Sequence, residues 1–207
     1  MSIDDLAGRK ALIKASGLKK GHVLDMGMGD CGCMSFFLAK RGFNVIGIDR
    51  SPYAIHNSRK DTRKKKFKGS FEAKLANAEN LPFGDNEFDA VFAYHSMHHM
   101  DNIEKVIDEM FRVCKKGGFI LISDLNEKGR KVYEHEADKG GLLKRIEKSL
   151  TKYTKSIRKI KTKYNMIFIC KDKKIERYEK EESSISVREK FRQKSNGGGI
   201  VKTSGRG

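Results

Sequence analysis

Val23-Leu24-Asp25-Met26-Gly27-Met28-Gly29-Asp30-Cys31-Gly32 places the end of a strand, a glycine turn and the entry to a helix within ten residues. The apolar run from His22 reads as a buried strand, 22–27, closed by glycines. Glycine there lets the backbone turn tightly and approach a ligand with no Cβ in the way. Beyond the turn, 33–41 offers Phe36, Phe37, Leu38 and Ala39 as a packing face, with Gly42 placed to end a helix. Strand, turn and helix in that order open a parallel α/β sheet.

The pattern extends outward in both directions. Toward the N-terminus, Leu6, Leu12 and Ile13 recur at helical spacing, predicting a leading helix over 3–16 that Gly17 stops. Toward the C-terminus, 44–49 is a second buried strand, and Ser51-Pro52 opens a helix, since proline tolerates the first helical turn. A third strand is expected over 71–78 and a fourth over 89–94, joined by the turn-rich LPFGDNEFD. Ile103, Val106, Ile107, Met110 and Val113 share one face of a helix over 102–114, with Gly117-Gly118 as its stop. A fifth strand follows over 119–125, then a polar helical region over 129–150. The segments 157–164 and 166–170 read as an antiparallel hairpin or bend at Asn165. Strands alternating with helices imply right-handed parallel crossovers, and the terminal pair departs from that rule. The fold class predicted is α/β, a Rossmann-like, doubly wound, mostly parallel sheet of seven strands with the last antiparallel.

Composition limits the function. At 207 residues, one well-buried core is expected. No apolar run approaches the roughly 20 residues that span a bilayer, and a soluble cytoplasmic protein is expected. The four cysteines form no C-x-x-C pair and are expected to be reduced thiols. The net charge of +17 is uneven: residues 1–138 carry 23 Lys and Arg against 20 Asp and Glu, and residues 139–207 carry 21 against 7. A second basic cluster runs from Arg50 to Lys68. Such patches attract phosphates, so nucleic acid is one candidate partner, with a plain solvated surface as the competing reading.

The glycine spacing alone fits a dinucleotide pyrophosphate as well as another nucleoside. Asp25 tilts the balance, because a carboxylate beside the turn repels a pyrophosphate and pairs with an α-ammonium group. Asp49 ends the second strand 22 residues after Gly27, where a carboxylate can accept ribose hydroxyls. The group His95, His98 and His99 follows the fourth strand, where His98 is a candidate acid/base and no metal site is expected.

VLDMGMGD, VIGIDRS, NAENLPFGDNEFDAVFAYHSMHHM and CKKGGFILISD together resemble the successive motifs of the class I S-adenosylmethionine-dependent methyltransferases. The likeness is nearest to type 11 and its ubiquinone and menaquinone biosynthesis branch, and covers about 21–124. It implies strand order 3-2-1-4-5-7-6 and S-adenosylmethionine as cofactor. It also implies that Asp25, Gly27 and Gly29 contact the methionine portion and that Asp49 binds ribose, with Arg50 and Ser51 nearby. Asn77, Ala78 and Glu79 would flank the adenine, and Tyr94 and His95 would lie beside the methionyl arm. Tyr94 and His98 are the candidate catalytic residues. The family turn reads D-x-G-x-G-x-G, whereas Cys31 stands here at the third glycine.

The organisation expected is a methyltransferase domain over 1–172, comprising a leading helix (1–20), a cofactor-binding core (21–126) and a C-terminal helix with terminal strands (127–172). A charged, Ser/Gly-rich, disordered tail is expected over 173–207. The acceptor pocket is expected between the leading helix, the loop 94–100 and the segment 124–141. A small-molecule acceptor is favoured, because the N/D-P-P-Y/F motif of nucleobase methylation is missing where Tyr94-His95-Ser96-Met97 stands. An RNA or protein acceptor reached through the basic surface is the alternative. A nicotinamide-dependent oxidoreductase and a non-catalytic nucleic-acid-binding protein are the rivals.

Overall fold

The computed structural model describes residues 5–63, 65–133 and 141–171. Its elements are α1 (Leu6–Ser16), β1 (His22–Met26), α2 (Cys33–Ala39), β2 (Asn44–Asp49), α3 (Pro52–Thr62), β3 (Ser70–Leu75), β4 (Phe88–Tyr94), α4 (Ile103–Val113), β5 (Cys114–Leu125), α5 (Glu127–Val132), α6 (Leu142–Leu150), β6 (Ile157–Lys161) and β7 (Asn165–Lys171). The strands form one sheet in the order β3-β2-β1-β4-β5-β7-β6. The first five are parallel neighbours, β7 runs antiparallel to β5, and β6 runs antiparallel to β7. The predicted Rossmann-like architecture, its seven strands and their order are all present.

The parallel strands are near-continuous apolar runs because helices cover both faces. Val23, Val45, Phe92 and Leu121 pack with α1 and α2, while Leu24, Val91, Ile120 and Ile122 pack with α4 and α6. Period-two alternation thus sends neighbouring residues of one strand into opposite halves of the core. Caps fix the helix starts. Ser51 Oγ accepts the Ala54 N–H ahead of Pro52, and Asn102 Oδ1 accepts the Lys105 N–H. The helical spacing read in α4 buries Ile103, Val106, Ile107 and Met110 against the sheet.

Three expectations change. The Gly117-Gly118 pair does not end α4. The chain leaves the helix at Val113 and enters β5 directly, and pairing with β4 shifts register between Phe88 and Ala90. Sheet pairing of Cys114 with Phe88 outweighs the local breaker signal of the two glycines. Among the described residues, the polar helical region 129–150 takes in the end of α5 and the whole of α6. Cys31 and Cys33 are joined by a disulfide rather than present as free thiols. Their Cα atoms are 5.1 Å apart across Gly32, within disulfide reach. A bridge this short ties neighbours within the turn and staples no distant segments. Cys114 and Cys170 are buried and stand outside the disulfide. The expected disordered tail over 173–207 and the start of the leading helix at residue 3 lie outside the described residues. Among the described residues, no helix is long and apolar enough to cross a membrane.

Candidate active site

The carboxyl ends of β1, β2, β4 and β5 converge at one end of the sheet, and so do the residues that carry chemistry. Gly27 and Met28 donate their N–H groups to Ile48 O, which folds the turn back onto β2. Gly27 has φ of +69°, and a Cβ there would lie 2.6 Å from the Ser96 Cβ, so both conformation and space demand glycine. Gly29 also adopts positive φ, and a Cβ built on it would meet nothing within 4 Å. Open space therefore adjoins the turn.

The two predicted acids flank this turn differently. Asp49 Oδ2 accepts the Gly29 N–H at 2.9 Å, and Oδ1 accepts the Ser51 N–H at 2.9 Å. Each carboxylate oxygen keeps further lone-pair capacity, enough for a pair of ribose hydroxyls. Asp25 is 1% exposed and sits behind the turn, accepting the Ser35 hydroxyl at 2.6 Å. Burial pushes its carboxyl up to about 6, reinforced by the nearby Asp49 charge and opposed by the Ser35 hydrogen bonds and Arg9.

The block 77–89 resolves into separate tasks. Asn77 Oδ1 accepts the Glu79 N–H, and Glu79 Oε1 accepts the Asn102 N–H at 2.9 Å, drawing the loops after β3 and β4 together. Ala78, Leu81 and Phe83 are buried in the core. Arg112 donates to Phe83 O, Leu81 O and Asp85, so α4 anchors this connection. Arg50 and Asp101 form an exposed ion pair at 2.9 Å that links the segments after β2 and β4 across the end of β1.

At the end of β4, Tyr94 and His95 turn toward the leading helix and the terminal hairpin. The Tyr94 hydroxyl donates to Asp5 Oδ2 at 2.8 Å, and burial together with Asp5 holds the phenol protonated well above its usual range. His95 has φ of +52°, a left-handed backbone uncommon for a residue with a side chain. Its Nε2 donates to Asn165 Oδ1 at 2.7 Å, and burial depresses its pKa. Asn165 also donates to Asp5, completing a cluster of α1, β4 and β7 residues.

His98 lies on a 3₁₀ turn, Met97–His99, and its Nδ1 is 2.8 Å from Asp124 Oδ1 at the end of β5. Asp124 is 1% exposed and also accepts the His98 and Leu125 N–H groups. A carboxylate can only accept, so Nδ1 carries the proton and Nε2 the lone pair of the neutral ring. Sequence reasoning missed Asp124, Asn165, Asp5 and Ser35. The strand order offered a signal for Asp124, because β5 neighbours β4 and an acid ending it falls beside the loop after β4.

Residues 24–122 match the family model described as a methyltransferase domain. Over that span, just under half of its length, the chain is similar to this family. The cofactor that the family implies is S-adenosylmethionine, and the open turn at Gly29 with the acceptor capacity of Asp49 fits it. The chain is similar to the methyltransferase GfsG of Streptomyces halstedii, 32% identical over 62% of this chain and 48% of that protein. It is also similar to the ubiquinone/menaquinone biosynthesis C-methyltransferase UbiE of Zymomonas mobilis, 37% identical over 51% of this chain and 43% of that protein. The chain thus spans about half the length of the curated relatives it matches. Among solved structures, a Methanococcus maripaludis protein superposes with a TM-score of 0.69 at 18% identity, covering 81% of this chain and 84% of that one. A SAM-dependent methyltransferase from Aquifex aeolicus gives 0.61 at 23% identity, over 78% and 87%. These likenesses show the fold.

Proposed function

We propose that this chain transfers a methyl group from S-adenosylmethionine to a small molecule that gives up a proton as it is methylated. The observation that carries the reading is the Asp49 carboxylate held on the Gly29 turn beside open space, in a chain similar to a family that uses this cofactor. Gly27 and Gly29 make room for the cofactor, Asp49 receives its ribose, and Arg50 and Ser51 frame that edge. Asn77, Ala78 and Glu79 flank the adenine. Asp25, enclosed behind the turn, acts on the methionyl ammonium through its field or a bridging water. Tyr94 and His95 wall the methionyl arm, the tyrosine by holding the leading helix rather than by proton transfer.

When bound, S-adenosylmethionine supplies a methyl already activated on a sulfonium sulfur. The protein's share is then to hold the acceptor in line, exclude water and take up its proton. His98 fills the last role, with Asp124 accepting from Nδ1 and fixing the ring. A small-molecule acceptor is supported by the likeness to the C-methyltransferase UbiE and by the missing nucleobase motif at Tyr94-His95-Ser96-Met97. The basic charge supports the second reading, an RNA or protein acceptor.

The test has two steps. Calorimetry with S-adenosylhomocysteine should give a one-to-one complex, and a protein that ignores it would sink the enzymatic reading. Labelled methyl groups supplied from the cofactor to fractionated cell extract should then enter the small-molecule fraction, whereas label confined to RNA or protein would transfer the acceptor to the second reading.

A further inference from the structure

The outer end of the sheet carries an open groove of about 220 Å³, lined by Leu143, Lys144, Glu147, Lys159, Lys161, Met166 and Phe168. That exceeds the roughly 150 Å³ of an apolar cavity able to hold benzene. Its floor is apolar, from Leu143, Met166 and Phe168, and its rim is cationic. Glu147 is already paired with Lys159 at 2.8 Å, whereas Lys144 and Lys161 enter no ion pair among the described residues. The groove therefore presents apolar surface beside two ammonium groups, Lys144 and Lys161, the latter also in the field of Glu127, and this is the complement of an amphipathic anion. Lysines on an edge strand such as β6 also discourage pairing with other chains. That role does not call for Lys144, which stands on α6, nor for the apolar floor.

Register ties the groove to the candidate active site. Asp124 on β5 pairs with Met166 on β7, and Met166 pairs with Lys161 on β6. The three form one row across the sheet. Asp124 shares its strand face with Ile120 and Ile122, and Met166 packs against the same core half. Two strand spacings separate Asp124 from Lys161, about 10 Å. Met166 alone stands between them along the row, partly exposed and with a pliant thioether side chain.

We propose that this groove receives the carboxylate or phosphate of the methyl acceptor, whose apolar body, about 10 Å long, lies along the row toward His98. The inference rests on His98 marking the acceptor end. It assigns the acceptor to a chemical class, an apolar molecule with an anionic group remote from the methylated atom.

The experiment uses the full chain saturated with S-adenosylhomocysteine and, below their micelle concentrations, dodecanoate, dodecyl phosphate and dodecan-1-ol. Calorimetry should show one or both anions binding at least tenfold more tightly than the alcohol, and the stronger anion identifies the headgroup. The Lys144→Ala/Lys161→Ala double variant should lose that preference, Lys148→Ala outside the groove should keep it, and neither should change S-adenosylhomocysteine affinity. Bound anion should also shift the His98 imidazole resonance and leave His56 unmoved. Equal affinity for acid and alcohol, or a preference that survives the double variant, overturns the groove. An anion that binds without moving His98 overturns its assignment to the acceptor. Failure of S-adenosylhomocysteine to bind, with the anion preference intact, tells instead against the methyl-transfer reading.

Discussion

A carboxylate enclosed by protein is costly to ionise even when one residue's hydroxyl and backbone N–H both donate to it, and Asp25, held by Ser35, is in that position. Its folded pKa of about 6 lies above the unfolded value near 3.9. The protonated form is favoured in the fold, so Asp25 contributes full stability below the unfolded value. That contribution is lost as pH rises through the window from about 4 to about 6, on the order of 3 kcal/mol. Asp25→Asn keeps an acceptor for Ser35 and removes the charge. Urea unfolding should show the variant more stable than the parent at pH 7, with a flatter slope between pH 4 and 6; an unchanged slope would remove Asp25 as the source. The same residue predicts cofactor linkage of the opposite sign. Because the ionised form attracts the ammonium, S-adenosylhomocysteine affinity should rise with pH through about 6 in the parent and not in Asp25→Asn. Asp49 lies at the open side of the turn and its loss should act on binding directly. Asp49→Ala removes the ribose acceptor and leaves the Gly29 and Ser51 N–H groups without their carboxylate, so affinity should fall at least 100-fold, about 2.7 kcal/mol by calorimetry. Parent-like affinity would count against the cofactor assignment.

Strand order brings together residues that the sequence keeps far apart. His98 and Asp124 are 26 residues apart and meet because β4 and β5 are neighbours. Asp5 and Asn165 are 160 apart and meet because β7 returns beside β5, under α1. The parallel half of the sheet was legible because β1, β2 and β5 close on a glycine, a serine-proline pair and a capping asparagine, and α4 repeats at 3.6 residues. Asp25, Gly27, Gly29 and Asp49 were legible as candidate ligand residues for the same local reason. The partners of His98 and His95 were not, since no periodicity encodes a contact between elements. Gly117-Gly118 misled because a breaker signal reports local preference, and the pairing of Cys114 with Phe88 overrides it. The dyad gives an element-level prediction. Asp124→Asn can present its amide to Nδ1 and so favour the other tautomer, with the proton on Nε2. Turnover should fall by about 10²-fold or more while S-adenosylhomocysteine affinity stays at the parent value. A matching loss of cofactor affinity would make Asp124 a structural residue of the cleft.

Over the whole molecule, charge is the property most open to misreading. The excess sits mainly in residues 139–207 and between Arg50 and Lys68, while the catalytic candidates lie among balanced charges. A basic surface binds RNA through counterion release whether or not RNA is a substrate, so binding alone does not identify the acceptor. Salt separates the cases. A protein neutralising six to ten phosphates loses about 10³- to 10⁵-fold in affinity between 50 and 200 mM salt. An acceptor carrying one anionic group, seated on Lys144 and Lys161, loses only a few-fold over the same range, because a single close pair is weakly screened. Methyl transfer into the small-molecule fraction should therefore persist at 200 mM salt while any association with RNA collapses. Transfer that falls in parallel with RNA binding, with label recovered in the RNA, would mean that the basic surface delivers the substrate and that the groove beside β6 serves another purpose.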